Sequence, residues 1–531
     1  MLHYENPSHY YHLASHVFLI ALKCLFQNEW LCVAVAATVA AHLNSISVGM
    51  CQGYSAVLLP QLTSHASPIH VSNDEASWIA SLGVISNPVG ALLSGCVWRY
   101  SEWRTAVQLT SLPFLIGWTI IALSQTLTTL CIGRFISGMA IGMASACYVY
   151  VAEISQPEHR GILSSTGPVF VSLGVLIVYS LGSLCSWQFV SAVCAAAAML
   201  SFSAMQLVPE SPYWLASKGM TKESHASLSW LRSSAHVEKD ISELINNSRD
   251  ISPRVSTLKL ISDRFNDPCV WKPFFILVGF FLFQEGSGIY IILYYAVDFF
   301  RRAGSTVDHN VASIIVASLR FAMSIFGSLC IQNFGRRTLA VTSGILMALS
   351  IGAAGVYEHF FEDFAPADRP YPWVPLACIL TNVCASMLGL LQLPWLMIGE
   401  LFPLKVRGIM GGVVSSLAYL FIFATVKIYP NLMANLQMSG SMFGFAIASL
   451  MVVVYALMFL PETRGKTLLE IEQRFCDIPK RTARRILRKA STSTQLSASA
   501  RCALSSRISR SRASSRRRFQ GSGHVFTKGF C

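Results

Sequence analysis

The chain runs to 531 residues, 53% of them apolar and only 13% charged, about half the charge that soluble domains carry. A water-soluble protein of this length would need more charge to cover its several cores, and the same balance excludes disorder for most of the chain. The net charge of +13 is no nucleic-acid signature: fourteen Lys and Arg and no acid lie between Pro479 and Cys531, and removing those fourteen leaves −1 for the first 478 residues.

Residues 1–30 read as an N-terminal segment. Its apolar stretch Val17 to Phe26 is interrupted by Lys23 and followed by no small-residue cleavage site, so a cleaved leader is not expected. A helix crossing the hydrocarbon needs about 20 mostly apolar residues. That window finds twelve segments: 31–58, 77–98, 106–124, 131–151, 162–184, 187–208, 273–300, 310–332, 338–356, 374–398, 409–430 and 440–460. The polar stretch 209–272 divides them six and six, into halves 31–208 and 273–460, followed by a basic Arg/Ser-rich tail 461–531. The expected fold is therefore an all-α membrane protein: twelve transmembrane helices in two pseudo-symmetric six-helix halves.

An even number of crossings puts both termini on one side. Nine Lys and Arg lie between Pro209 and Lys272, whereas the alternate connections 59–74, 125–130 and 431–439 hold none. The positive-inside rule then makes the central stretch and both ends cytoplasmic, with Arg301, Arg302 and Arg369 as mild exceptions. The fifteen cysteines, mostly inside apolar runs like Cys32, Cys147, Cys194 and Cys378, show no CxxC or zinc spacing and read as small hydrophobes. No metal or other cofactor is expected.

Two motif pairs recur. Glu153 precedes Arg160-Gly161 by seven residues and Glu400 precedes Arg407-Gly408 by seven, an offset of 247 between halves. Pro209-Glu210-Ser211 and Pro461-Glu462-Thr463 close the two halves, 252 apart. Charges repeated at the cytoplasmic ends of helices suit ion pairs that break and re-form as two halves rock about a central site. Snorkelling and helix capping would explain one copy; matched copies favour the switch.

Taken together, Gly133-Arg134, Glu153 with Arg160-Gly161, the PESPYWL of 209–215, Gln284 with Ser287-Gly288 and Tyr294-Tyr295, Gly335-Arg336-Arg337, Pro394-Trp395, Glu400 with Phe402-Pro403 and Arg407-Gly408, and the PETRGK of 461–466 resemble the sugar porters of the major facilitator superfamily. Within that superfamily the chain is most similar to the insect facilitated trehalose and hexose transporters, over residues 30–475. The resemblance implies facilitative movement of a neutral sugar by alternating access, without ATP. It also implies a cytoplasmic switch of Arg104, Arg134, Glu153, Arg160, Glu210, Arg336, Arg337, Glu400, Arg407 and Glu462, with Tyr294 and Tyr295 at the outer gate. Gly465-Lys466-Thr467 resembles the end of a phosphate loop, but Leu460 stands where its first glycine is required.

A sugar site needs side chains that donate and accept hydrogen bonds, plus an aromatic face. Gln284 and Trp395 match the family's sugar contacts; Glu285 and Tyr290 replace its second Gln and its Asn, and Pro168 and Ala418 stand at two further amide positions. Arg320, in the eighth segment, also replaces an amide. A lone charge at membrane depth is costly, so either Glu285 and Arg320 pair across the central cavity and bind sugar jointly, or each finds its own environment. Proton–sugar symporters of the superfamily carry an aspartate after Gly-Tyr; here Ser55 follows Gly53-Tyr54 and has no proton to release near neutrality. Facilitated diffusion is favoured, with Glu285 the residue through which symport would run. His42 and Lys427 read as helix packing or snorkelling groups.

The acid-free tail, 479–531, reads as disordered, with anionic lipid a partner for its charges and Ser491 a candidate phosphosite. No nucleophile–base pair or HExxH motif points to an enzyme. A transporter-like sensor, binding without turnover, is the competing class, and accumulation in vesicles distinguishes it. The orientation has a direct check. The sequon Asn246-Asn247-Ser248 falls in the cytosolic stretch, so Asn246→Gln is expected to leave electrophoretic mass and glycosidase response unchanged, whereas a mass shift would place 209–272 outside the cell.

Overall fold

The computed structural model describes residues 29–63, 71–97, 102–155, 160–231, 267–294, 309–361, 364, 369–371, 373–403, 406–464, 466 and 468–475. The chain divides at Leu468 into two units, and the first holds every helix of membrane length among the described residues. All regular structure among those residues is helical.

The first half comprises α1 (Glu29–Leu62), α2 (Asn73–Val97), α3 (Trp103–Ala122), α4 (Leu127–Met143) continued by α5 (Ser145–Ile154), α6 (Arg160–Gly182) and α7 (Trp187–Ala204). Short helices α8 (Pro212–Ser217) and α9 (Thr221–Leu231) follow. The second half comprises α10 (Pro268–Gly286) continued by α11 (Ile289–Tyr294), α12 (His309–Asn333), α13 (Arg336–Phe361), α14 (Val374–Leu388) continued by α15 (Leu393–Leu401), and α16 (Arg407–Phe459). The second unit opens within α17 (Leu468–Phe475).

Eleven helical stretches are long and apolar enough to cross a membrane, and the last, Gly408–Phe459, has 52 residues. At 1.5 Å per residue that is about 78 Å, enough for two crossings of a hydrocarbon layer about 30 Å thick. The chain turns at Gln437, whose φ of 56° and ψ of −173° break the helix. The connection expected at 431–439 is therefore helical apart from that one residue: its polar residues lower the hydropathy without stopping the helix. The acid-free stretch 479–531 with Ser491, and the sequon, lie outside the described residues, as does Tyr295.

Apolar side chains such as Leu92, Ile116, Phe275, Leu349 and Met458 cover the outer faces of the spans, as lipid contact requires. Between spans, small residues let backbones approach. A Cβ added to Gly142 of α4 would lie 2.0 Å from the Asn87 carbonyl oxygen of α2, and one added to Gly90 would lie 1.9 Å from that of Met139. The α1–α6 contact is equally close, with Gly49 facing Val171 and Gly174 facing Ile46. Polar clamps reinforce these contacts. Tyr54 Oη donates to the Trp187 carbonyl at 2.9 Å, and Gln61 Nε2 donates to the carbonyls of Gly182 and Cys185, both at 3.1 Å. Eight of the described cysteines are free; Cys269 departs from the small-hydrophobe expectation by being disulfide-bonded.

The halves meet where α2 packs on α16 and α6 on α12. Ser328 Oγ donates to the Ser165 carbonyl at 2.8 Å, Ser416 Oγ to that of Pro88 at 3.3 Å, and the Lys427 ammonium lies 4.0 Å from the centre of the Trp78 ring. That last contact gives Lys427 a face-on aromatic partner in the opposite half.

The glycine contacts set a stability test. Gly142→Val should cost about 3 kcal/mol, because the Asn87 carbonyl cannot retreat without moving α2. Gly444→Ala, at a position where an added Cβ meets nothing within 4 Å, should leave the thermal midpoint in detergent unchanged or slightly raised. Equal midpoints for both variants would contradict the packing.

Candidate functional site

The first N–H groups of a helix have no partner within it, and its dipole makes that end attractive to carboxylates. Two glutamates use this in the same way. In the first half, the Glu210 carboxylate accepts the Arg104 N–H at the start of α3, at 3.0 and 3.1 Å, and that of Ser211 at 2.8 Å. In the second, Glu462 accepts the N–H groups of Arg336 and Arg337 at the start of α13, at 3.0 and 3.2 Å, and that of Arg464 at 3.0 Å.

The next residue in each motif carries a hydroxyl with an equivalent role. Ser211 Oγ donates to the Glu153 carboxylate at the end of α5, and Thr463 Oγ1 donates to Glu400 at 2.6 Å at the end of α15. Arg336 completes the second-half copy with a 2.8 Å bridge to Glu400 and a 3.0 Å bond to the Ile331 carbonyl, and Arg337 reaches the Leu457 carbonyl. Burial pushes the Glu210 carboxyl above its ordinary range. Burial acts on Glu462 too, but there the N–H groups of Arg464, Arg336 and Arg337 and the Arg336 charge outweigh it and hold the carboxyl below that range.

Arg160 and Arg407 open α6 and α16, their side chains lying outside the described residues. Arg134, expected with the switch, sits elsewhere. It occupies the second turn of α4, at the far end from Glu153, fully buried. Its Nη2 donates to Ser55 Oγ of α1 and its guanidinium lies 5.6 Å from the centre of the Tyr54 ring. The reason is directional: the chain traverses α4 and α5 from one face to the other, so a residue near the start of α4 cannot reach the face where α5 ends.

A second site lies between the halves. Tyr179 of α6 faces Tyr290 of α11, Arg320 of α12 and Asn382 and Ser386 of α14 across a cavity otherwise walled by apolar side chains such as Val175, Val316 and Met387. Tyr290 stands within electrostatic reach of Glu285, Arg320, Tyr294 and Tyr419. Gln284 is fully buried behind the wall, its Nε2 pointing to the Leu391 carbonyl at 3.4 Å. Trp395 packs edge-on to Phe281, at 4.9 Å between centres, and tilts against Tyr419 at 5.2 Å. Tyr294 is buried.

The pairing of Glu285 with Arg320 does not form. Both Glu285 oxygens are buried with no hydrogen-bond partner, and Arg320 makes no ion pair among the described residues. The cause is local: α10 stops at Gly286 and the chain passes through Gly288 at φ 76° before α11 begins. That turn presents Tyr290, rather than Glu285, to Arg320. Sequence reading missed the hydroxyls of Ser211 and Thr463, although both follow a motif glutamate. It also missed Tyr179 and Asn382, polar groups inside apolar segments.

A family model described as "Sugar (and other) transporter" matches residues 33–475. The facilitated trehalose transporter Tret1 of Apis mellifera ligustica is 31% identical over 452 residues, spanning 84% of this chain and 89% of that protein. Tret1 of Bombyx mori is 30% identical, spanning 85% and 88%. Among solved structures, the proton:xylose symporter XylE bound to 6-bromo-6-deoxy-D-glucose superposes with a TM-score of 0.70 at 20% identity, over 83% of this chain and 99% of that one. That likeness establishes the fold: the twelve-helix, two-half arrangement of the major facilitator superfamily.

The two capping glutamates respond oppositely to pH. Glu462, held below its ordinary value, adds stability at neutral pH that is lost as pH falls through its folded value. Glu210, raised, holds its proton more tightly in the fold, so its ionisation costs stability as pH rises past the ordinary carboxylate value. At neutral pH, Glu462→Gln should therefore lose about 1 kcal/mol of helix-terminus stabilisation, and Glu210→Gln should change little. Thermal unfolding of both variants in detergent checks the order, and a larger loss for Glu210→Gln would contradict it.

Proposed function

The chain belongs to the sugar transporter family, and from that membership we propose that it carries a hexose or trehalose across the cell membrane by facilitated diffusion, with both termini and the 209–272 stretch in the cytoplasm. The observation that carries this reading is the duplicated carboxylate network, one copy per half, together with a cavity lined from both halves. Each network binds its half into one body, which leaves the inter-half surface as the plane of motion. The networks of Glu210, Glu153 and Arg104, and of Glu462, Glu400, Arg336 and Arg337, form the cytoplasmic switch, with Arg160 and Arg407 beside them. Tyr294 and Tyr295 close the outer side.

In the cavity, Tyr290 and Arg320 meet the sugar directly, while Gln284, Glu285 and Trp395 stand behind or beside them. Aromatic edges and phenolic hydroxyls suit a solute with apolar faces and a rim of hydroxyls. Anionic lipid holds the basic tail at the inner surface, where phosphate on Ser491 would weaken the attraction. Uniport is supported by Ser55, a hydroxyl that does not ionise near neutral pH, in contact with Arg134. Symport is the second reading, and the buried, unpartnered carboxyl of Glu285 is what favours it.

One experiment separates the two. Uptake of labelled trehalose and glucose into proteoliposomes should reach equilibrium without exceeding it, and an imposed proton gradient or a protonophore should leave the rate unchanged. Accumulation above equilibrium, driven by the gradient and abolished in Glu285→Gln, would replace uniport with symport.

A further inference from the structure

Arg320 is a cation that this cavity leaves unanswered. Its side chain is more than nine-tenths buried and lines the space between the halves. Its Nε has no hydrogen-bond partner, and among the described residues it bridges to no carboxylate. The groups within its electrostatic reach are the phenols of Tyr290, Tyr179 and Tyr294. Tyr294 in turn lies within reach of a second buried guanidinium, Arg134, whose Nε and Nη1 also lack partners. The nearest buried acid in sequence, Glu285, makes no bridge to either.

A guanidinium kept at membrane depth without a counter-ion is costly, and such charges mark solute pathways. Its planar fork matches a carboxylate, two parallel N–H donors to two oxygens. The rest of the wall suits a sugar ring. The phenols of Tyr179 and Tyr290 donate and accept, and Asn382, whose amide N–H groups go to the Met347 carbonyl at 3.2 Å and to Ser350 Oγ at 3.3 Å, keeps its carbonyl oxygen for a hydroxyl. We propose that the preferred substrate of this site is a sugar bearing a carboxylate, a uronate, whose anionic group is the counter-ion of Arg320. This rests on the transport reading and goes beyond it, adding an acidic sugar to the neutral ones proposed for the same cavity.

The proposal fixes the charge movement. With a uronate bound, the guanidinium is neutralised and the loaded carrier crosses without that charge; the empty carrier returns with it. Each cycle then moves one negative charge with the uronate, whereas a neutral hexose leaves the carrier's charge the same in both directions.

The test uses the full-length protein in proteoliposomes with labelled glucuronate and labelled glucose, with a potassium diffusion potential imposed by valinomycin. Glucuronate entry is expected to be saturable, faster with the vesicle interior positive, and competitive with glucose, whose entry ignores the potential. Arg320→Gln should lower the glucuronate-to-glucose rate ratio about 100-fold, the scale of losing one partner of a buried charged pair. Arg320→Lys, keeping the charge but not the fork, should fall between. If Arg320→Gln does not fold, the glucuronate-to-glucose ratio of Arg320→Lys decides, a ratio equal to that of the unaltered protein overturning the proposal. Glucose equilibrating while glucuronate neither enters nor competes would overturn the carboxylate proposal and leave the transport reading standing. Glucuronate entry that ignores the potential would also overturn it. Folded protein that moves neither solute would overturn both.

Discussion

A carboxylate docked on the amino-terminus of a helix is the contact on which each half of this molecule depends. Glu210 on α3 and Glu462 on α13 do the same work with the same atoms, satisfying backbone donors that would otherwise be orphaned. Each lies beside a hydroxyl that ties in a second glutamate at the end of a different span, Ser211 to Glu153 and Thr463 to Glu400. One short motif thereby fastens the ends of three spans in each half. The copies differ in how they hold charge: burial dominates at Glu210, and N–H donors with Arg336 dominate at Glu462.

Backbone packing draws the same line between what is fixed and what is free. Within the halves, Cβ atoms placed on Gly90, Gly142, Gly49, Gly174 and Gly327 would come within 1.9–2.2 Å of a carbonyl oxygen in a neighbouring helix. Across the interface, one placed on Gly412 would stay 3.3 Å from the Ala91 carbonyl. Spans within a half are locked backbone to backbone, while those of opposite halves touch through side chains and a few bonds such as Ser328 to Ser165. Interfaces of the second kind slide and separate at lower cost.

The crossings were legible in the sequence because about 20 apolar residues in a row have one economical use. The glutamate and arginine motifs were legible because their spacing repeats. The joint between the last two spans was not, since helix persists through polar residues until Gln437 turns the chain. Nor was the environment of Arg320: counting positions left open whether it pairs with Glu285 or finds surroundings of its own, because the turn at Gly288 re-aims everything after it. Arg134 was misplaced for a simpler reason, because motif membership says nothing about which end of a helix a residue occupies. Tyr179 and Asn382 carry no periodic signal and emerge only once α6 and α14 are seen on one cavity.

The central claim is that two internally rigid halves move against each other around the cavity that Arg320 lines. Spin labels at Leu184 and Leu436, exposed positions in opposite halves, and a control pair at Leu123 and Leu184 within the first half, allow the distances to be read by pulsed electron resonance. Adding transported sugar should shift the inter-half distance distribution and leave the control pair unchanged. A control pair that shifts while the inter-half distance stays fixed would contradict the account.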